Sequence, residues 1–161
     1  MQSKFAIAGH PLHPMMVAVP VGLFIWALIA DIVFGIRDEQ GWYDIAFWSG
    51  IAAWVSGLAA AFPGFGDYLT MARHTEARDM AAIHMVLNVT TVGCYIAAMI
   101  LMLDNGAIEL NGKYQAVLGL HAFGTLLLAV SGWLGGEMVY RHHLGMIPGH
   151  AEEPVSMRRA A

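Results

Sequence analysis

The stretch MAAIHMVLNVTTVGCYIAAMILML, from Met80 to Leu103, contains no Asp, Glu, Lys or Arg. Crossing the hydrocarbon core of a bilayer takes roughly 20 residues of helix at about 1.5 Å each, and this stretch is long enough. Its polar residues are not scattered. His84, Asn88, Thr91 and Tyr95 follow one another at spacings of four, three and four, so they share one face of a helix with Ala81, Ala98 and Met102. Lipid cannot satisfy polar side chains, so that face is expected to look into a bundle of helices.

Three further stretches have the same character. One runs from Pro14 to about Gly35 with Asp31 as its only charge, a second from about Asp44 to Phe62, and a third from Ala116 to about Val139 with Glu137 near its end. No alternation of period two is present, and the segments are too long for barrel strands. The reading is an all-α integral membrane four-helix bundle, with spans at about 14–35, 44–62, 80–103 and 116–139. Residues 1–147 form the single transmembrane domain and 148–161 a flexible cytoplasmic tail.

Composition agrees. Of 161 residues, 58% are hydrophobic and 12% charged, about half the charge of an ordinary globular domain, near 25%. The single cysteine, Cys94, excludes a disulfide scaffold and any site built on cysteines alone. With a net charge of -4 and no basic run, nucleic acid is not an expected partner; the lipid bilayer is. The opening tract MQSKFAIAGHPLHP lacks a short apolar core ending in a cleavage site, so the first helix is expected to stay in the mature protein.

Basic residues set the expected orientation. Lys4, Arg73, Arg78, Arg141, Arg158 and Arg159 fall on the side shared by both termini, Arg37 and Lys113 on the other. The positive-inside rule then puts both termini in the cytoplasm of a multi-pass membrane protein.

Stepping about 100° per residue sorts the inward groups. On the first helix His13 aligns with Val17, Pro20, Phe24 and Asp31, and Pro20 should kink the span. On the second, Ser49, Ala52, Ala53, Ser56, Ala60 and Pro63 make a small face leading to Asp67. On the fourth, His121 shares a face with Gly124, Thr125, Leu128, Gly132, Gly135 and Gly136, while Glu137 points roughly 160° away. By depth, His10, His13, His84 and Asp67 gather near the cytoplasmic side. Tyr95, His121 and Asp31 gather toward the outer side. His74, His142, His143 and His150 read as solvated.

Two polar clusters in one bundle suggest chemistry. Neutral imidazoles on facing helices are the donors that haem b needs, so His84 with His13 or His10 is the candidate axial pair, near His121, Asn88 and Tyr95. Arg73, Arg78 or Arg141 would receive the propionates. The competing reading is a bare transition-metal ion, iron, zinc or copper, held by His10, His13, His84 and Asp67 or Glu137. A third is a proton relay along His84, Asn88, Thr91, Tyr95, His121 and Asp31; the plainest is a helper subunit whose polar groups only bond helices together. No nucleophile elbow and no phosphate-cradling loop occurs, so a stand-alone enzyme is not the expectation.

Several motifs resemble those of one bacterial family. They are Gly9-His10-Pro11-Leu12-His13-Pro14, Gly66-Asp67-Tyr68, His84-x-x-x-Asn88, and Gly132-Trp133-Leu134-Gly135-Gly136-Glu137-Met138-Val139-Tyr140-Arg141-His142. The family is the predicted membrane proteins designated domain of unknown function 2231, and the resemblance covers about Gly9 to Met146. Many relatives carry a further His five residues after His13, where this chain has Ala18. Related domains occur fused to Rieske-type or cytochrome c-type modules, so the resemblance implies a redox setting and favours haem over a bare ion. It also makes Glu137 a family position. The expected partners are a redox protein or respiratory complex, and a homo-oligomer would thicken the thin wall of four short helices.

Overall fold

The structure is a computed structural model and describes residues 3–110 and 112–145. The described residues contain five helices: α1 (Leu12–Met16), α2 (Ala18–Arg37), α3 (Gln40–Thr70), α4 (Glu76–Met102) and α5 (Tyr114–Tyr140). Because α1 and α2 form one nearly continuous rod, four helices are long and apolar enough to cross a membrane: Leu12–Arg37, Gln40–Thr70, Glu76–Met102 and Tyr114–Tyr140. Two short hairpins complete the described residues. In the first, β1 (Ala6–Ile7) pairs with β2 (His10–Pro11) through a turn at Ala8 and Gly9, both with positive φ. In the second, β3 (Leu103–Asp104) pairs with β4 (Ala107–Ile108). Its turn is Asn105-Gly106, whose left-handed backbone matches strand twist.

Proline explains the break between α1 and α2. Pro20 offers no amide hydrogen, and its ring crowds the carbonyl four residues earlier, that of Met16, where α1 ends. The break therefore falls at Val17, upstream of the proline itself, where the backbone stays in the right-handed helical region. Pro63 acts less severely. The span expected to end at Phe62 continues to Thr70 with Pro63 inside it, and most of the connection expected from Pro63 onward is helix. In apolar surroundings no water competes for the backbone, so a loosened turn survives.

Helix ends are set locally. Asp38 closes α2 in the left-handed conformation, and beside it the Arg37 guanidinium donates to Glu39 Oε1 from Nε at 3.0 Å and Nη2 at 2.8 Å. This bond holds the exposed Glu39 carboxyl below its ordinary value. Thr75 caps α4 by accepting from the Arg78 amide at 3.3 Å, with Glu76 and Asp79 in the first turn.

Packing is uneven. α2 lies closely against α3, and α4 against α5, whereas the seam between these two hairpins is sparser. The buried line of α3 runs through Tyr43, Ala46, Phe47, Gly50, Ala53, Ala60 and Pro63. It is rotated from the expected face, so Ala52 is exposed and the Ser56 hydroxyl bonds back to Ala52 O of its own helix at 2.6 Å. One core cluster joins Ala30, Phe34, Tyr43, Phe47, Met99, Met102 and Val117. A second joins Phe24, Ala27, Ala53, Tyr95 and Leu128. Outward, Trp26, Ile29, Trp48, Phe62, Val89, Leu126 and Trp133 are exposed, an apolar surface of the kind that only lipid or a partner covers.

Candidate functional site

Polar side chains within the bundle form two groups, both at the seam between the hairpins. The first is built on His13 and His84. His13 leaves α1 just after the Pro11 cap and reaches across to α3, where its Nδ1 lies 2.8 Å from Ala60 O. That carbonyl lies three residues before Pro63, next to the Ala59 carbonyl that the proline leaves without its helical donor. Gly64 is required there: a Cβ at that position would come within 2.7 to 3.0 Å of the His13 ring.

His84 is anchored in the same manner within the other hairpin. Its Nδ1 lies 2.8 Å from Ser131 O and 2.9 Å from Ser131 Oγ. The Asn88 amide, one turn along α4, approaches His84 Nε2 at 3.0 Å and Ser131 Oγ at 2.8 Å. Across the seam the His13 and His84 rings stand 6.3 Å apart, centroid to centroid, with planes at 89°. Each imidazole thus has Nδ1 on a main-chain carbonyl, which fixes the tautomer with hydrogen on Nδ1 and turns Nε2 into a base or ligand. For His84 the Asn88 amide occupies that lone pair.

The second group is built on Asp31 and His121, both fully buried. Asp31 Oδ2 meets His121 Nδ1 between α2 and α5. Tyr95 of α4 stacks on the His121 ring at 4.3 Å, and its hydroxyl donates to Phe24 O at 2.7 Å while Thr125 Oγ1 lies at 2.7 Å. Gly124 makes that stack possible, since a Cβ would come within 2.9 Å of the Tyr95 ring. The Tyr114 hydroxyl donates to Asp31 O at 2.8 Å. Between the two groups, Thr91 donates to Gly124 O at 3.2 Å. The polar face of α4 is therefore turned toward α5 along its length.

The remaining candidates lie elsewhere. Both Asp67 oxygens are taken by the N-terminal segment, Oδ2 by the Ser3 hydroxyl at 2.6 Å and Oδ1 by the Lys4 amide at 3.0 Å. His10 is exposed on β2, with Nδ1 3.1 Å from Ala8 O. Arg78 ties the end of α3 to α4, donating to Tyr68 O at 3.1 Å and Met71 O at 2.8 Å over the Tyr68 ring. Arg141 is mostly exposed and stands 3.9 Å from Glu137. Among the described residues, no three His, Cys, Asp or Glu side chains converge on a point that would hold a metal ion. His142 is half-buried, with Nε2 shut off from solvent. His150 and the expected tail 148–161 lie outside the described residues.

Three residues of these groups are missing from the sequence-based expectation. Ser131 falls in the line Gly124, Leu128, Ser131, Gly135 at spacings of four, three and four, and that spacing was the available signal. Tyr43, in the first turn of α3 and within electrostatic reach of Asp31, and Tyr114, the first residue of α5, lie where an aromatic residue reads as an interfacial anchor.

No curated protein and no solved structure is significantly similar to the chain. A family model described as "Predicted membrane protein (DUF2231)" matches residues 9–148, and on that match the chain belongs to the DUF2231 family of predicted membrane proteins.

Proposed function

We propose that the chain is a multi-pass protein of the bacterial cytoplasmic membrane that holds haem b between His13 and His84 and carries electrons. The observation that supports this reading is the facing pair itself. Two imidazoles held on one ion by bonds of about 2.0–2.1 Å would have ring centres about 5–6 Å apart, depending on the angle between the bonds, and the two rings stand 6.3 Å apart. A bare ion asks the protein for three or four donors. A porphyrin iron brings four nitrogens of its own and asks for two.

When bound, the group would supply one-electron transfer. This chain's residues do the rest. Ala60 O and Ser131 O orient the two rings, holding the hydrogen on Nδ1 and leaving Nε2 as the donor atom. Gly64 leaves His13 its space. Asn88 guards His84 Nε2 and must release it, keeping Ser131 Oγ as its acceptor. The basic residues on the side of the termini support an orientation with both termini in the cytoplasm, and an electron carrier there calls for a redox partner protein.

Variants test the ligands. His13→Ala and His84→Ala are each expected to lose bound haem while helix content, read by circular dichroism, stays unchanged. Retention of the full haem complement in both would defeat the assignment. For orientation, in a Cys94→Ser background, Arg73→Cys should be labelled by an impermeant thiol reagent only from the cytoplasmic side and Lys113→Cys only from outside.

A further inference from the structure

We infer that the Asp31–His121 pair is a proton-binding site, holding one extra proton at neutral pH and exchanging it with water at the end of the bundle where the α2–α3 and α4–α5 connections lie. The inference stands apart from the proposed haem site and does not depend on it.

Charge gives the first argument. Both side chains are fully buried, and a carboxylate bonded to a neutral imidazole carries a net charge of minus one. An uncompensated charge in such a place is strongly unfavourable. No cation faces it. From α3 comes Tyr43, within electrostatic reach of Asp31. From α4 come Tyr95 and the half-buried Cys94 beside it, and from α5 comes Tyr114. The nearest cation along α2, Arg37, is exposed and bound to Glu39. A proton is the remaining means of neutralisation.

Unmatched atoms give the second. His121 Nε2, Asp31 Oδ1 and the Tyr43 hydroxyl are all buried and have no hydrogen-bond partner among the described residues. Three such atoms around one ion pair are unusual, since buried polar groups are nearly always matched. They suit a site that passes protons and water. The two net-neutral forms are imidazolium against carboxylate, and neutral imidazole accepting from a protonated carboxyl. In both, Nε2 carries a hydrogen. Uptake moves one proton from hydronium to the pair, leaving water and taking the pair from minus one to zero; release reverses it.

The way to water is a cleft that one tyrosine links to the main chain of Asp31, although neither side chain of the pair lines it. The cleft, of about 430 Å³, opens between Phe34, Gly35, Asp38, Leu110 and Tyr114. Tyr114 is one of the residues that line it, and its hydroxyl donates to the main-chain carbonyl of Asp31. Gly35 lets that hydroxyl in, because a Cβ there would fall 2.2 Å from it.

The test is nuclear magnetic resonance on the full chain in detergent, with 15N in the histidine rings, the His121 signals being those lost in His121→Gln. At pH 7, Nε2 of His121 is expected to carry a hydrogen that exchanges with deuterated water while the protein stays folded. A bare Nε2 at pH 7, or a hydrogen that does not exchange over days, would overturn the inference. Tyr114→Phe removes the hydroxyl that joins the cleft to the main chain of Asp31 and should slow the exchange at least tenfold; an unchanged rate would overturn the route.

Discussion

His13 and His84 face each other across the seam between two helical hairpins, and each is tied at Nδ1 to a main-chain carbonyl of the other helix in its own hairpin. His13 is held by α3 and His84 by α5, so whatever moves the hairpins relative to each other changes the gap between the rings without loosening either ring.

The two glycines behind these rings should differ in their tolerance of a methyl group. Gly64→Ala puts Cβ within 2.7 Å of His13 Nδ1, whereas Gly135→Ala puts it 3.5 Å from His84 Cε1, an ordinary contact. Gly64→Ala is expected to displace His13 and abolish haem binding with the helices intact, and Gly135→Ala to retain it. Haem content per protein measures both.

Asn88 is expected to compete with the metal. On the haem proposal, ligation at His84 Nε2 would break a hydrogen bond with a net worth of about 1 kcal/mol, equivalent to roughly fivefold in affinity. Asn88→Ala should therefore tighten haem binding by about that factor in a titration of the apoprotein. The same variant strips a donor from Ser131 Oγ and should lower stability by about 1 kcal/mol.

Asp67→Asn separates a ligand from a tether. The carboxylate holds Ser3 and Lys4, so neutralising it should speed proteolysis at the N-terminal segment. The haem or metal content should stay at the wild-type level. A loss of metal would instead assign Asp67 to the centre.

For the Asp31–His121 pair, removing either partner leaves a buried polar group alone. Asp31→Ala or His121→Ala is expected to cost about 3–5 kcal/mol in detergent unfolding. The double replacement Asp31→Leu with His121→Leu should cost less than the sum of the single ones, because it leaves neither group unmatched.

Much of this arrangement is legible in the sequence for reasons that can be named. Apolar runs of sufficient length announce the four spans, and the spacing of His84, Asn88, Thr91 and Tyr95 announces the face that α4 turns to α5. Direction is easier to read than depth. A helical wheel says that Asp31 and His121 both point inward, but their pairing depends on how far α2 is displaced along α5, which no local signal encodes. Breakers mislead inside a bilayer: Pro63, Gly64 and Gly66 read as the start of a loop, yet α3 runs through them to Thr70. Asp67 reads as a partner for the histidines until the chain before Gly9 folds back and supplies Ser3 and Lys4. The Asn105-Gly106 turn, in contrast, carried its own sequence signal within the stretch expected to be a plain loop.

The most direct test of the central claim is the absorption spectrum of the detergent-purified protein from cells supplied with haem, recorded air-oxidised and then dithionite-reduced. The account predicts a Soret band that shifts on reduction, with sharp visible bands, in wild-type protein and their loss in His84→Ala. A wild-type protein that folds, contains no iron and shows no Soret band in either state would contradict it.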